Sequence, residues 1–303
     1  MSHLPGLNRV FVVRVGVCSA LIVMIISASS CRRKPDNAAV GTTGKETQKT
    51  FASPAEAGAA FHDAAKSGDQ AALTAIFGPD ATDVVFSGDP VKDRNALTQF
   101  VSAYETMNRW VKINAGGQML YVGRENFPFP VPLQQTSSGQ WYFDTAGGAD
   151  EIAARRIGRN ELVAIAATAA LANAQQNYFS ATHARGQVRQ YAQNFTSDAF
   201  GQLGDFAKDA GSGYLFRILT KQGNTAKGGA KDYIVNGKMT GGFAILAYPA
   251  EYQDSGIMTF LIGTDGIVYE KDLGPKTADI AVAMTEYNPG DGWKPVNTQS
   301  SGE

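Results

Sequence analysis

Cys31 is the residue whose type and setting define a chemistry most clearly. Arg9 and Arg14 precede a largely apolar run from Val15 to Ile26, the small residues Ser27-Ala28-Ser29-Ser30 follow, and Cys31 comes next. This is the layout of a bacterial secretory leader ending in a lipobox, whose cysteine is acylated and becomes the mature N-terminus. The apolar run is about a dozen residues, short of the ~20 that a bilayer span requires. Ala28 stands where a lipobox usually has Leu, and Ala38-Ala39 offers a rival cleavage site, with Arg32-Arg33-Lys34 as an awkward lead-in to it. A diacylglycerol with an N-acyl chain exceeds the two signals that stable anchoring takes. Arg32 and Arg33 would meet anionic headgroups. No Asp follows Cys31, which in enteric-type sorting favours the outer membrane of a periplasm-facing lipoprotein.

Beyond the leader, only His62 and His183 could serve as imidazole bases or ligands. A zinc site would need both, plus carboxylates from distant segments. No HExxH, CxxC, calcium-loop or GxSxG pattern occurs, and GNTAKGGAK (residues 223–231) lacks the closing Gly-Lys-Ser/Thr of a phosphate loop. We expect no metal, no cofactor and no catalytic constellation. One candidate pocket is His62 with Tyr104, Trp110 and Trp141, lining a concave site with nearby Asp residues as acid or base. His62 adjoins Phe61 beside an apolar stripe, which suits an exposed or packed histidine better. Arg155, Arg156 and Arg159 form a compact basic cluster. Pairing with Asp150, Glu151 or Glu161 at i,i+4-type spacing accounts for it, and contact with an anion or a partner is the alternative. Asp80, Asp83, Asp89 and Asp93 suit turn and cap positions.

Composition narrows the field further. The chain has 303 residues, with 27 basic and 28 acidic. Loss of Arg9 and Arg14 with the leader leaves a net charge near −3, and no basic stripe interleaves with aromatics, so nucleic acid is not an expected partner. Cys18 lies in the leader and Cys31 is consumed by lipid, so no disulfide is expected even in an oxidising compartment.

These residues must be carried by ordered elements. Residues 31–50 are polar, rich in Gly, Thr and Lys, and read as a flexible tether. Ser53-Pro54-Ala55-Glu56 opens a helix with a capping pattern. Ser67-Gly68-Asp69 ends it and caps a second, Gly78-Pro79-Asp80 stops that one, and Asp89-Pro90 starts a third. Residues 110–114 with 118–122, and 131–135 with 141–144, read as hairpins. Residues 149–181 are strongly helical. Gly158 with Asn160 predicts a break there, followed by an apolar stripe of Leu162, Ile165, Ala166, Ala169 and Ala172. The last third predicts four antiparallel strands at 214–220, 243–248, 257–262 and 267–271, a tight turn at Thr264-Asp265-Gly266, a long Gly/Lys loop over 221–231 and a helix over 279–287. The fold class is α+β in two lobes. The lobes are N-terminal helices with a curled antiparallel sheet, then a long helix packed on a four-stranded antiparallel meander.

The string SPAEAGAAFHDAAKSGDQAALTAIFGPDA resembles the opening helices of the NTF2-like cone fold, which implies a pocket between sheet and helices. Residues 161–271 resemble a type IV pilin or pseudopilin head, without the apolar segment that pilins use for filament assembly. FASPAEAGAAF, FSGDPVKDR, FPFPVPL, WYFDTAGGADEIAARRIGRNEL, KDYIVNGKMTGGFAILAYPAEYQDSGIMTFLIGTDGIVYEKDLG and the terminal GWKPV together resemble the bacterial exported domain-of-unknown-function family 2950. That family implies an exported envelope protein and transfers no activity. The expected organisation is 1–30 leader, 31–50 tether, 51–148 NTF2-like lobe and 149–303 pilin-head-like lobe. The expected role is a lipid-anchored, non-catalytic envelope module binding another envelope protein or a cell-wall component. The alternatives are a small-molecule binder or hydrolase-like protein using the N-terminal pocket, and an accessory of a pilus or secretion system.

Overall fold

The computed structural model describes residues 48–296 apart from Ser87, 114–115, 185–187 and Asp291, and apart from the side chains of Asp80, Asp83, Ala184 and Ala210. The leader and Cys31 lie outside the described residues, as do the expected roles of the Asp80 and Asp83 side chains.

The ordered body begins earlier than Phe51. Gln48 Nε2 donates to the carbonyls of Ile76 (2.9 Å) and Phe143 (2.7 Å), and Lys49 N donates to Ala75 O at 2.8 Å. Residues 48–50 therefore belong to the fold rather than to the expected tether. α1 (Pro54–Ser67) starts at Ser53, whose hydroxyl accepts from Glu56 N, while Glu56 Oε2 accepts from Ala52 N. The first bond satisfies a donor that a helix start leaves open, and the second holds the incoming chain against the first turn. Gly68, at φ 68°, ends α1. Asp69 caps α2 (Gln70–Phe77), and a short 3₁₀ turn follows over Pro79–Asp83. Asp89 caps α3 (Pro90–Thr106) through Val91 N and Lys92 N, and those two bonds hold its carboxyl below the ordinary carboxylate range.

β1 (Asn108–Lys112) pairs with β2 (Gln118–Val122), which also takes β3 (Phe127–Pro128) and β4 (Leu133–Gln135), and β4 pairs with β5 (Trp141–Phe143), all antiparallel. This sheet and the three helices enclose an aromatic core. Phe61 is its hub, 4.0 Å from Phe100, 5.0 Å from Phe77 and 5.1 Å from Phe129 between ring centroids. Stacked and edge-on ring pairs add to the area they bury.

α4 (Thr145–Ala184) is one uninterrupted helix of 40 residues, about 60 Å long at 1.5 Å per residue. The predicted break at Gly158 is absent. Asn160 and Glu161 act sideways instead of capping: Asn160 Nδ2 donates to Ser255 O, and Glu161 Oε1 accepts from Ile257 N and Met258 N. That grip also sets the rotation of the helix. Its buried side is Ala164, Ala167, Thr168, Leu171, Ala172 and Gln175; of the expected stripe, Ala172 is buried and Ile165 and Ala169 pack against the core, while Leu162, 65% exposed, and Ala166 face outward.

Two short helices, α5 (Ser197–Phe200) and α6 (Gln202–Lys208), lead to β6 (Tyr214–Leu219). β7 (Lys221–Gln222) and β8 (Lys231–Asp232) pair to close the expected Gly/Lys loop, and β9 (Ile234–Val235) with β10 (Lys238–Met239) forms a further hairpin just after it. Gln222 Nε2 donates to Lys227 O and Gly229 O within it. β11 (Ala244–Pro249), β12 (Met258–Gly263) and β13 (Val268–Asp272) complete the four-stranded antiparallel run with β6. α7 (Thr277–Ala283) ends earlier than predicted, and β14 (Glu286–Tyr287) pairs in parallel with β7. Arg217 is the reason: its guanidinium caps the carbonyls of Ala281, Val282 and Met284, closing the helix. β15 (Lys294–Pro295) then borders β13. All of β11, and all of β12 but Met258, is buried. Nearly unbroken apolar strands are the signature of a sheet covered on both faces. Here α4 covers one face, while α7 lies on the other and Tyr287 packs over Gly263.

Candidate functional site

His62 is placed by α1 one position off the buried stripe, with its side chain 15% exposed. Its ring stacks on Tyr104 of α3 at 5.1 Å and 27°. Nδ1 lies 3.0 Å from Asp63 Oδ1 and Nε2 3.2 Å from Glu105 Oε1, which also receives Lys66 Nζ at 2.8 Å. Each ring nitrogen thus faces a carboxylate oxygen. The bonds from Lys66 and His62 hold the Glu105 carboxyl below its usual range, and Glu105 raises Lys66. Burial, then the Asp63 charge, pushes the Tyr104 phenol up. Gly58, one turn before His62, allows the close approach of α3 and β1: a Cβ there would stand 2.9 Å from Tyr104 Oη and 3.3 Å from the Trp110 ring.

The fold therefore brings His62, Tyr104 and Trp110 together over Gly58, and adds Asp63, Lys66 and Glu105. It leaves Trp141 apart. Trp141 is fixed on β5 by reciprocal backbone bonds to Phe51 (2.8 Å each) and packs on the aromatic core. No hydrogen bond or ring contact joins it to His62 among the described residues. His183 is exposed at the far end of α4.

The arginine cluster divides. Arg155 pairs with Glu151 at 2.7 Å in the expected i,i+4 geometry, and also donates to Pro128 O (2.7 Å) and lies over the Phe127 ring. Arg156 reaches Asp254, 98 residues on, instead of a neighbour on its own helix. Arg159 is exposed and has no ion pair among the described residues. Arg155 thus touches the N-terminal sheet, while Arg156, Asn160 and Glu161 hold the 254–258 turn of the C-terminal one. Sequence reasoning missed this grip because nothing in the local spacing signals a partner about a hundred residues away.

A second cluster that sequence reasoning missed lies at the β12–β13 turn. Tyr287 Oη donates to Asp265 Oδ2 at 2.8 Å, Tyr233 Oη donates to Gln222 Oε1 at 3.1 Å, and Tyr269 faces Tyr287 edge-on. Burial and then the Asp265 carboxylate drive the Tyr287 phenol far upward, so Tyr287 acts as a fixed hydrogen-bond donor to Asp265. Among the described residues, no three His, Cys, Asp or Glu side chains are placed to hold a metal ion. No described helix is long and apolar enough to cross a membrane.

The family model described as protein of unknown function (DUF2950) matches residues 48–206 and 199–296, nearly the whole described body. The chain belongs to the DUF2950 family. No curated protein and no solved structure matches it, so the NTF2-like and pilin-head likenesses of this DUF2950 chain carry no further argument. Its family match begins at Gln48, the first of the described residues.

Proposed function

We propose that this DUF2950 member is a lipid-anchored envelope protein, facing the periplasm, whose folded body binds a protein or cell-wall partner. The observation that carries the reading is the leader itself: Arg9 and Arg14, the apolar run over 15–26, the small residues 27–30 and then Cys31. The body supports binding over chemistry because its most reactive groups are committed to structure. Both ring nitrogens of His62 are held by carboxylates, and Arg155 and Arg156 tie α4 to two different segments. The test is the intact mass of membrane-extracted protein beside a Cys31→Ser variant, followed by crosslinking in whole cells. We expect an acylated N-terminal cysteine, release of the variant from the membrane and a reproducible crosslinked partner. An unmodified product free of the membrane overturns the anchor.

The convergence of Tyr104 and Trp110 beside His62 favours a small-molecule site as the second reading. A ligand whose binding is lost in Tyr104→Ala and retained in Trp141→Ala would establish it.

A further inference from the structure

β6 is the terminal strand of the C-terminal sheet, in the order β15-β13-β12-β11-β6. The bond from Ala250 N to Gly213 O (3.0 Å) fixes the parity of its ladder with β11. Leu215, Arg217 and Leu219 bond inward, and Tyr214, Phe216, Ile218 and Thr220 present their N–H and C=O groups outward. The two ends of that outer row are closed. Tyr214 is served by the Ser212 hydroxyl, while Thr220 N donates to Thr285 O and Thr220 O accepts from Tyr233 N. Between them, the backbone groups of Phe216 and Ile218 have no partner among the described residues. Phe216 as a whole residue is only 7% exposed, and a backbone group in such a setting usually has a partner.

Three usual guards of an edge strand are absent from β6 itself, and only the flanking segments shelter it. Such edges carry outward charges, proline or a bulge, but the one charge on YLFRIL, Arg217, is turned onto the end of α7. Apolar shelves flank the opening. On one face Phe206 of α6 lies 5.8 Å from Phe216, and on the other runs the 282–285 segment with Val282 61% exposed. An added strand sends alternate side chains to opposite faces, so each shelf would receive every second residue.

We propose that the outer edge of β6 is an acceptor slot for an extended apolar segment of a partner protein, added to the sheet as a further strand. A second copy of this chain fits poorly. Its own β6 is flanked by the same shelves, and an opening of two residues is far short of the ~1,200–2,000 Å² that a stable protein pair buries. A single extended chain needs only the ~20 Å between Tyr214 and Thr220. The proposal rests on the reading of the body as a binding module and is independent of the lipid anchor.

The test uses the full chain and a blocked heptapeptide, acetyl-Lys-Val-Ile-Val-Phe-Val-Lys-amide, beside the same peptide N-methylated at alternate amides. Without peptide, the Phe216 and Ile218 amides should exchange with deuterium at least tenfold faster than those of Leu215 and Arg217. The first peptide should slow them at least tenfold and the methylated one should not. Ile218→Pro removes an outward N–H and no ladder bond, and should abolish the protection at Phe216. Should that variant fail to fold, the methylated peptide still decides. The proposal is overturned if the four amides exchange alike in the free protein, if protein concentration alone slows Phe216 and Ile218, or if the peptide protects other amides. A cellular partner whose crosslinks map away from β6 would sink the slot and leave the binding role standing.

Discussion

Glu161 shows what one carboxylate does when its partners are backbone. Its Oε1 accepts from both Ile257 N and Met258 N, so Glu161→Ala leaves two half-buried donors open. We expect a loss of about 1–3 kcal/mol, read from urea unfolding. Arg156→Ala should cost less than ~1 kcal/mol, because the Arg156–Asp254 pair is exposed on both sides. Glu270 of β13 behaves in the opposite sense. Burial first, and then the Glu161 charge, raise its carboxyl above the ordinary 4.5. Since the folded state favours the neutral acid, ionised Glu270 costs stability above its folded value, and that cost fades as pH falls through it. Glu270→Gln should therefore raise the melting temperature at neutral pH and leave it unchanged below pH 4.5, which paired thermal scans would reveal. The caps at Ser53, Asp69 and Asp89 were legible from residue type, because a cap acts within three residues of itself. The partners of Arg156 and Glu161 were not, because they are set by how a helix and a distant turn meet.

At the scale of elements, Gly158 separates local propensity from tertiary context. A glycine two residues before an Asn reads as a helix end, yet α4 runs through it with open space where a Cβ would stand. Gly158→Ala should therefore stabilise the protein by about 0.5–1 kcal/mol, seen as a shifted denaturation midpoint. Gly263 is the reverse case. A Cβ there would sit 2.7 Å from the Tyr287 ring, so Gly263→Ala should cost about 1–3 kcal/mol through overpacking and loosen β14 from the sheet. The four strands of the meander and the Thr264-Asp265-Gly266 turn were readable because apolar runs and turn residues mark them directly. The end of α7 was not, because Arg217, more than sixty residues earlier in the chain, determines it.

Across the whole molecule, α4 joins an aromatic core built around Phe61 to an aliphatic one built on β11 and β12. Arg155 contacts the first and Arg156 a turn of the second, one residue apart on the same helix. The α+β class and the sequence of elements were evident from periodicity. The rotation of the long helix and the position of its polar grips emerged only with the fold.

The double cover of β11 and β12 sets an order of manufacture. One face is dressed by α4, which leaves the ribosome first, but the other waits for α7 and for Tyr287, which follow later in the chain. Until those later residues emerge, a broad greasy surface stands bare. A stop codon after Leu273 would delete only about a tenth of the chain and should nevertheless behave like a null allele, cleared by proteases. An immunoblot of the truncated product showing wild-type abundance would contradict this.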